Sequence, residues 1–102
     1  FKMTIGEMTD KANKRMLGFD LEMLADTYEH MWVDFFYTRK MSTLENCAQM
    51  YIVGLAMEKF DSNRSADMRA GAAMFAQDMG YSSKEFQEEL ETILYNVDNK
   101  KD

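Results

Sequence analysis

The chain has 102 residues, of which 46% are hydrophobic and 13% aromatic, so it is not a disordered polypeptide and has enough apolar residues for one core. It contains no proline and only five glycines, which argues against a β-sandwich, because folds with many turns usually recruit both residues. The formal net charge of −6 is ordinary for a small domain, so the distribution of the charges is more informative than their total.

Capping signals and glycines divide the chain into five predicted helices. Residues 4–7, 42–45 and 82–85 each begin with Ser or Thr and end with Glu, the capping box that satisfies backbone N–H groups at a helix start. Asp20 is a further N-cap, and Gly18 and Gly80 stand where helices should end in the left-handed conformation. The predicted helices span 5–17, 21–38, 43–60, 66–79 and 83–97, with a loop at 61–63.

These helices predict one all-α domain over residues 4–97, a single compact bundle. Residues 1–3 are expected to precede the domain, with Met3 as the native start, and residues 98–102 to form a frayed tail. The single cysteine, Cys47, cannot form a disulfide within the chain, and the longest apolar-leaning stretch, 49–57, is far shorter than the roughly 20 residues that a membrane span needs. We therefore expect a cytoplasmic protein that does not enter membranes.

The apolar periodicity assigns a role to each of the first three helices. The first has a narrow apolar stripe and is predicted to be peripheral. The third is apolar nearly all round and is predicted to be central. The second is strongly amphipathic, with one face made of Leu21, Leu24, Ala25, Tyr28, Met31, Trp32, Phe35 and Phe36.

The last two helices match a helix-turn-helix pattern. Residues 72–79 would form the first helix of the motif, residues 80–82 the turn, and residues from 83 onward the recognition helix. Phe75, Met79, Tyr81 and Phe86 stand at the internal contacts of the motif, and Leu90 is expected to replace its neighbour Glu89 there. The sequence thus predicts a helix-turn-helix-like corner in the C-terminal half.

The charge of this corner argues against the function that its shape suggests. The recognition helix carries four glutamates against the single cation Lys84, and phosphates repel such a surface. Only Arg64, Arg69 and Lys84 are near enough to the corner to contact DNA. A DNA-binding transcriptional regulator is therefore the alternative hypothesis, and nucleic acid is a partner only under it.

No catalytic, metal or cofactor site is predicted. His30, the only histidine, has Asp26 and Asp34 one turn to either side, but three side chains on one helix point side by side instead of converging on a metal ion. Cys47 lies among apolar residues and is expected to be buried and inert, and no phosphate-binding glycine motif occurs. The sequence predicts a protein that is not an enzyme and needs no cofactor.

Eleven methionines and two acidic helix faces favour protein binding. Methionine is flexible and recurs at surfaces that adapt to partners. We expect the methionines as a set to fill an irregular core, most clearly those at 31, 50, 57 and 79. Met23 and Met68 lie off the main apolar stripes and Met3 and Met41 near helix ends, and any of these that is exposed would mark an interface. If the acidic faces lie side by side, they form a broad negative surface that attracts a basic groove.

The sequence predicts a small acidic protein-binding module that occupies a basic, nucleic-acid-binding surface of a partner. A homodimer of this module is also compatible with the sequence. A virus-encoded inhibitor of host defence is one protein of this kind, and a homo-oligomerising structural protein is a further alternative. Charge reversal at Asp26 and Glu29 is expected to weaken the complex and leave the fold intact. The predicted partner-binding residues are Glu22, Asp26, Glu29, Asp34, Glu85, Glu88, Glu89 and Glu91.

Overall fold

The computed structural model describes residues 2–38 and 43–99, with all their side chains except those of residues 32, 35–38 and 97–99. Within these ranges five helices follow one another: α1 (Ile5–Arg15), α2 (Leu21–Thr38), α3 (Leu44–Met57), α4 (Ser62–Asp78) and α5 (Ser83–Asn99). The two ranges contain no β-strand, which confirms the all-α prediction.

Two of the predicted capping boxes start helices as expected. At α1, the Glu7 N–H donates to Thr4 Oγ1 (3.2 Å) and the Thr4 N–H donates to Glu7 Oε1 (3.1 Å). At α5, Ser82 and Glu85 exchange the same pair of hydrogen bonds, at 2.9 and 3.1 Å. Local sequence therefore sets the starts of these helices.

Two other helices start at different residues from those predicted. α3 begins one residue later than the predicted 43, and its N-cap is Thr43, whose Oγ1 accepts the Asn46 N–H at 3.1 Å; Ser42 lies outside the described residues. α4 begins at 62 instead of 66, because Asp61 caps it by accepting the Arg64 N–H at 3.1 Å. The predicted loop at 61–63 is thus a cap and a first helical turn. Asp, Ser and Asn favour helix starts as much as loops, which explains the error.

The helix ends agree with the prediction to within three residues. Gly18 and Gly80 have φ of +84° and +94°, which confirms that left-handed glycines follow α1 and α4. α1 stops at Arg15 instead of 17, α3 at Met57 instead of 60, and α4 one residue before the predicted 79. α5 continues to Asn99, two residues beyond the predicted end, and α2 spans 21–38 as predicted.

α3 is the central helix, as predicted. It packs against each of the other four helices, and Ala48, Ile52 and Leu55 are almost completely buried on it. The other four helices cover α3 with apolar side chains, some small and some large. The buried residues that these helices contribute include Met8 and Ala12 (α1), Ala25 (α2), Met68, Ala72 and Phe75 (α4), and Phe86, Leu90 and Leu94 (α5).

α3 and α4 approach each other closely at one crossing. The hydroxyl of the fully buried Ser65 donates to the Gly54 carbonyl oxygen at 2.6 Å. A Cβ atom at Gly54 would lie 3.0 Å from Arg69 Cγ and 3.3 Å from the Ser65 carbonyl oxygen, so a side chain there would push the helices apart. This crossing orients the N-terminal half of α4, which carries Arg64 and Arg69.

The methionines are distributed differently from the prediction. Met68 is only 1% exposed and Met3 is also buried, so neither marks an interface. The core assignment of Met31 is wrong, because this residue is 38% exposed. Met23, which lies off the main apolar stripe, is exposed, whereas Met41 lies outside the described residues. The periodicity of α4 did not show the side of Met68, because small residues follow one another there and do not mark which side faces α3. Of the other predicted core methionines, Met50 and Met57 are buried and Met79 is partly buried.

Candidate functional site

Arg64 of α4 binds two of the carboxylates that the sequence assigns to partner binding. Its Nε donates to Glu29 Oε1 at 3.0 Å and its Nη2 to Glu29 Oε2 at 3.1 Å, while Nη2 also donates to Asp26 Oδ1. The two-pronged contact with Glu29 matches the planar fork of a guanidinium. Hydrogen bonding to Glu29, and then to Asp26, raises the pKa of Arg64 further above its already high ordinary value.

This cluster interrupts the acidic stripe of α2. Glu22 and Asp34 are exposed toward the two ends of the helix, and a guanidinium stands between them. Charge reversal at Asp26 and Glu29 is therefore expected to lower the free energy of unfolding to some extent, because the new cations would face Arg64. These contacts also engage Arg64, which is one of the three cations that the sequence assigns to DNA binding.

The other two predicted DNA-binding residues lie far apart. Arg69 Nη2 donates to Glu58 Oε2 at 3.3 Å, and its Nε donates to Ser65 Oγ at 3.2 Å. Lys84 is exposed in the first turn of α5. Since a helix rises about 1.5 Å per residue, Arg64 and Arg69 lie roughly 20 and 15 Å along α4 from the turn that precedes Lys84. The structure does not gather these three cations into one basic patch.

The acidic face of α5 lies opposite a deeply buried one. Glu85 and Glu88 are exposed, and Glu89 is partly exposed. On the other side, Leu90 and Leu94 are almost completely buried. The carboxylates cannot turn inward without extracting these residues from the core, so they face solvent.

Glu91 has a structural contact that the sequence did not predict. Its Oε2 accepts the Met3 N–H at 2.6 Å and the Gln87 Nε2–H at 3.1 Å. Gln87 Nε2 also donates to the Met3 carbonyl oxygen at 3.4 Å. The segment before α1 is thus held on α5, and Met3, placed outside the domain by the sequence, is part of the core.

The two acidic helices are separated in the bundle. α2 packs on α3, whereas α5 packs on α1, α3 and α4. Among the described residues, α2 and α5 do not form a packed pair, because α3 lies between them. The acidic face of α5 therefore lies on a helix that is not closely packed against α2.

The helix-turn-helix-like corner is present between α4 and α5. The Tyr81 N–H donates to the Ala76 carbonyl oxygen at 3.0 Å across the turn that contains Gly80. Phe86 packs edge-on against the Tyr51 ring, with 5.5 Å between the ring centres. The corner is thus anchored on the central helix. Phe75 and Phe86 are buried, Met79 and Tyr81 are partly buried, and Leu90 is buried beside the partly exposed Glu89, as predicted.

His30 and Cys47 lie in different surroundings. His30 is exposed on α2, and its neighbour Asp26 is turned toward Arg64. Cys47 is buried on α3. Over residues 2–38 and 43–99, no group of three or more His, Cys, Asp and Glu side chains is placed to hold a metal ion.

A polar contact lies under the N-terminal half of α2. Tyr28 is partly buried there, and burial raises the pKa of its phenol, against the opposing effect of the Arg15 charge and with a further rise from Glu45. Arg15 Nη2 donates to Gln49 Oε1 at 3.5 Å. Arg15 Nε is buried and has no hydrogen-bond partner within the described part of the chain.

An apolar groove between α2, α3 and α4 was missed by the sequence analysis. We call it the methionine groove and define it by Val33, Met50, Met68, Gly71 and Met74. Its volume is about 580 Å³. Its two walls are formed by Val33 of α2 and Met74 of α4, which are 48% and 56% exposed. Its floor is formed by Met50 and Met68, which are buried. In the sequence, this groove is indicated only by Met74 and the small residues before it on α4, which are too small to fill the space next to α3.

Comparison with known proteins adds no functional assignment. No helix in the described ranges is long and apolar enough to cross a membrane. No family model, no curated protein and no solved structure matches this chain.

Proposed function

We propose that this chain is a non-catalytic protein-binding module, an inhibitor that occupies a basic, nucleic-acid-binding surface of its partner. The exposed acidic face of α5 carries this proposal. The opposite face of α5 is buried in the core through Phe86, Leu90 and Leu94, so the carboxylates are presented to solvent on a rigid helix. Such a face attracts a positively charged cleft and accelerates association with it.

The geometry of α5 favours two of its carboxylates over the others. Glu91 is engaged with the Met3 backbone, and Glu85 also caps the helix. Glu88 is exposed and, with Tyr95 and Asn96, lines a shallow depression of about 390 Å³ on the outer surface. Glu88 and its partly exposed neighbour Glu89 are therefore the residues to which we assign the largest part in binding.

A DNA-binding regulator is the second candidate, and the corner between α4 and α5 favours it. In that mode α5 would bring Glu85 and Glu88 toward phosphates, which repel them. Arg64 and Arg69 would have to leave their carboxylate partners to help, and both lie at the far end of α4. We place this candidate second for that electrostatic reason. The single cysteine, buried in the core, leaves the cytoplasm as the proposed location.

Affinity capture from a lysate of the native host, with and without nuclease, tests the proposal. The tagged full chain is compared with Glu88→Lys and with Asp10→Lys, an exposed change on α1 that alters the net charge from −6 to −4 equally. We expect a stoichiometric protein partner that survives nuclease and binds less tightly as salt increases. Glu88→Lys should weaken binding about fivefold or more, and Asp10→Lys should change it little.

Two other outcomes would contradict this function. Recovery of nucleic acid, with loss of every partner on nuclease treatment, would favour the DNA-binding regulator. A tight homo-oligomer without any other bound protein would favour a structural, self-assembling protein.

A further inference from the structure

We propose that the methionine groove binds an amphipathic helix of the partner, one that presents lysine or arginine beside its apolar face. This rests on the proposed function, because it names a second contact of the same binding module. It adds a binding mode and a partner chemistry that the acidic face of α5 does not specify.

The groove has the shape and chemistry of a helix-binding site. Met50 and Met68 form a buried floor, and Val33 and Met74 stand exposed on helices at its two sides. Amphipathic helices bind in such grooves by inserting apolar side chains spaced three or four residues apart. Methionine adapts its shape to the inserted side chain at little cost, because its chain is unbranched and its sulfur is polarizable.

The rim charge selects a basic occupant. Glu29 on α2 and Asp67 on α4 border the groove, and α2 contains no lysine or arginine. Arg64 is already engaged by Glu29 and Asp26, so those carboxylates offset its charge and Asp67 remains exposed. A second copy of this chain would bring another acidic rim against the first, which disfavours self-association through the groove.

The walls of the groove are held before any partner arrives. The bond from Ser65 to Gly54 positions α4 on α3, and the fork of Arg64 on Glu29 links α4 to α2. The Arg64 contact therefore spans the two walls of the groove. A site with prearranged walls binds more tightly, because little order has to be created on association.

Fluorescence anisotropy with designed peptides tests the proposal on the full chain. The probe is a labelled leucine–lysine peptide of about 18 residues, patterned as a five-turn amphipathic helix. A leucine–glutamate peptide of the same pattern is the charge control. The protein variants are Met74→Lys in the groove and Met23→Lys, an equally exposed methionine on α2 outside it. Both variants change the net charge from −6 to −5, so general attraction of the basic peptide is matched.

We expect the leucine–lysine peptide to bind the wild type and Met23→Lys alike, and Met74→Lys about tenfold or more weakly, as for loss of an anchoring contact. Asp67→Lys should also weaken binding, whereas Asp78→Lys, exposed on α4 away from the groove, should do so less. Unchanged thermal unfolding of each variant shows that the fold is retained.

Several results would overturn the proposal. These are equal binding to Met74→Lys and Met23→Lys, equal binding of the acidic peptide, no binding of the basic peptide, or self-association that Met74→Lys abolishes. Failure of this proposal is separable from failure of the proposed function. If a host protein still binds Met74→Lys with full affinity but binds Glu88→Lys weakly, the function stands and the groove has no part in it.

Discussion

Helices α2 and α5 each carry a row of carboxylates, and the two rows have different surroundings. On α2, Arg64 from α4 binds Glu29 and Asp26 and divides the row. On α5, Glu85 and Glu88 face solvent beside Lys84, the one basic residue of that helix. The charge of a helix face therefore depends on the helix packed beside it as well as on its own residues.

The apolar sides of these helices differ as well. α5 inserts Phe86, Leu90 and Leu94 into the core. Among the described side chains of α2, Ala25 alone is buried, and the apolar side chains of Leu21, Leu24 and Tyr28 are partly buried. Burial thus fixes α5, whereas the described side chains of α2 contribute mostly partial burial and the contact with Arg64.

The largest expected effect comes from truncating the buried face of α5. Leu90→Ala should reduce the free energy of unfolding by about 2–5 kcal/mol, because it leaves a cavity in the core. Leu24→Ala, at a partly buried position on α2, should cost clearly less. Urea denaturation of both variants measures the difference. Equal losses would show that α2 is anchored as firmly as α5.

A smaller effect is expected from breaking the link between α2 and α4. Arg64→Met removes the guanidinium from Glu29 and Asp26 and should lower the free energy of unfolding by roughly 1 kcal/mol, since the cluster is partly exposed. Lys84→Met on α5 is the matched control and should stay within about 0.5 kcal/mol of the wild type. Urea denaturation at low and high salt tests this, because salt should shrink only the Arg64 effect. If Arg64→Met and Lys84→Met lost the same free energy of unfolding, the proposed difference between the carboxylate rows of α2 and α5 would be refuted.

The smallest effect concerns the pH dependence of the α2 contact. Burial raises the pKa of Tyr28 above its ordinary value of 10.0, so folding favours the neutral phenol. Its contribution to stability is complete below pH 10.0 and is lost as the pH rises through the raised pKa. Tyrosinate absorbance of the wild type minus that of Tyr28→Phe reports this group alone. The difference should appear at higher pH in the folded protein than in denaturant, and coincident curves would refute the burial of this phenol.

Several features were determined by the sequence itself. The boxes at Thr4 and Ser82, the glycines at 18 and 80 and the central position of α3 were all predicted and are present. These features depend on hydrogen bonds and periodicity within a few residues of one another. Such signals can be read along the chain because their partners are close in sequence.

Other features were decided only by the tertiary structure. Arg64 and Glu29 are 35 residues apart, and no pattern along the chain pairs them. Likewise, Met68 is buried and Met74 exposed because the Gly54–Ser65 crossing sets which side of α4 faces α3. The sequence determined where helices form and which residues are charged. The packing of one helix on another decided which charges are neutralised and which apolar residues remain open to a partner, because those contacts join residues distant in the chain.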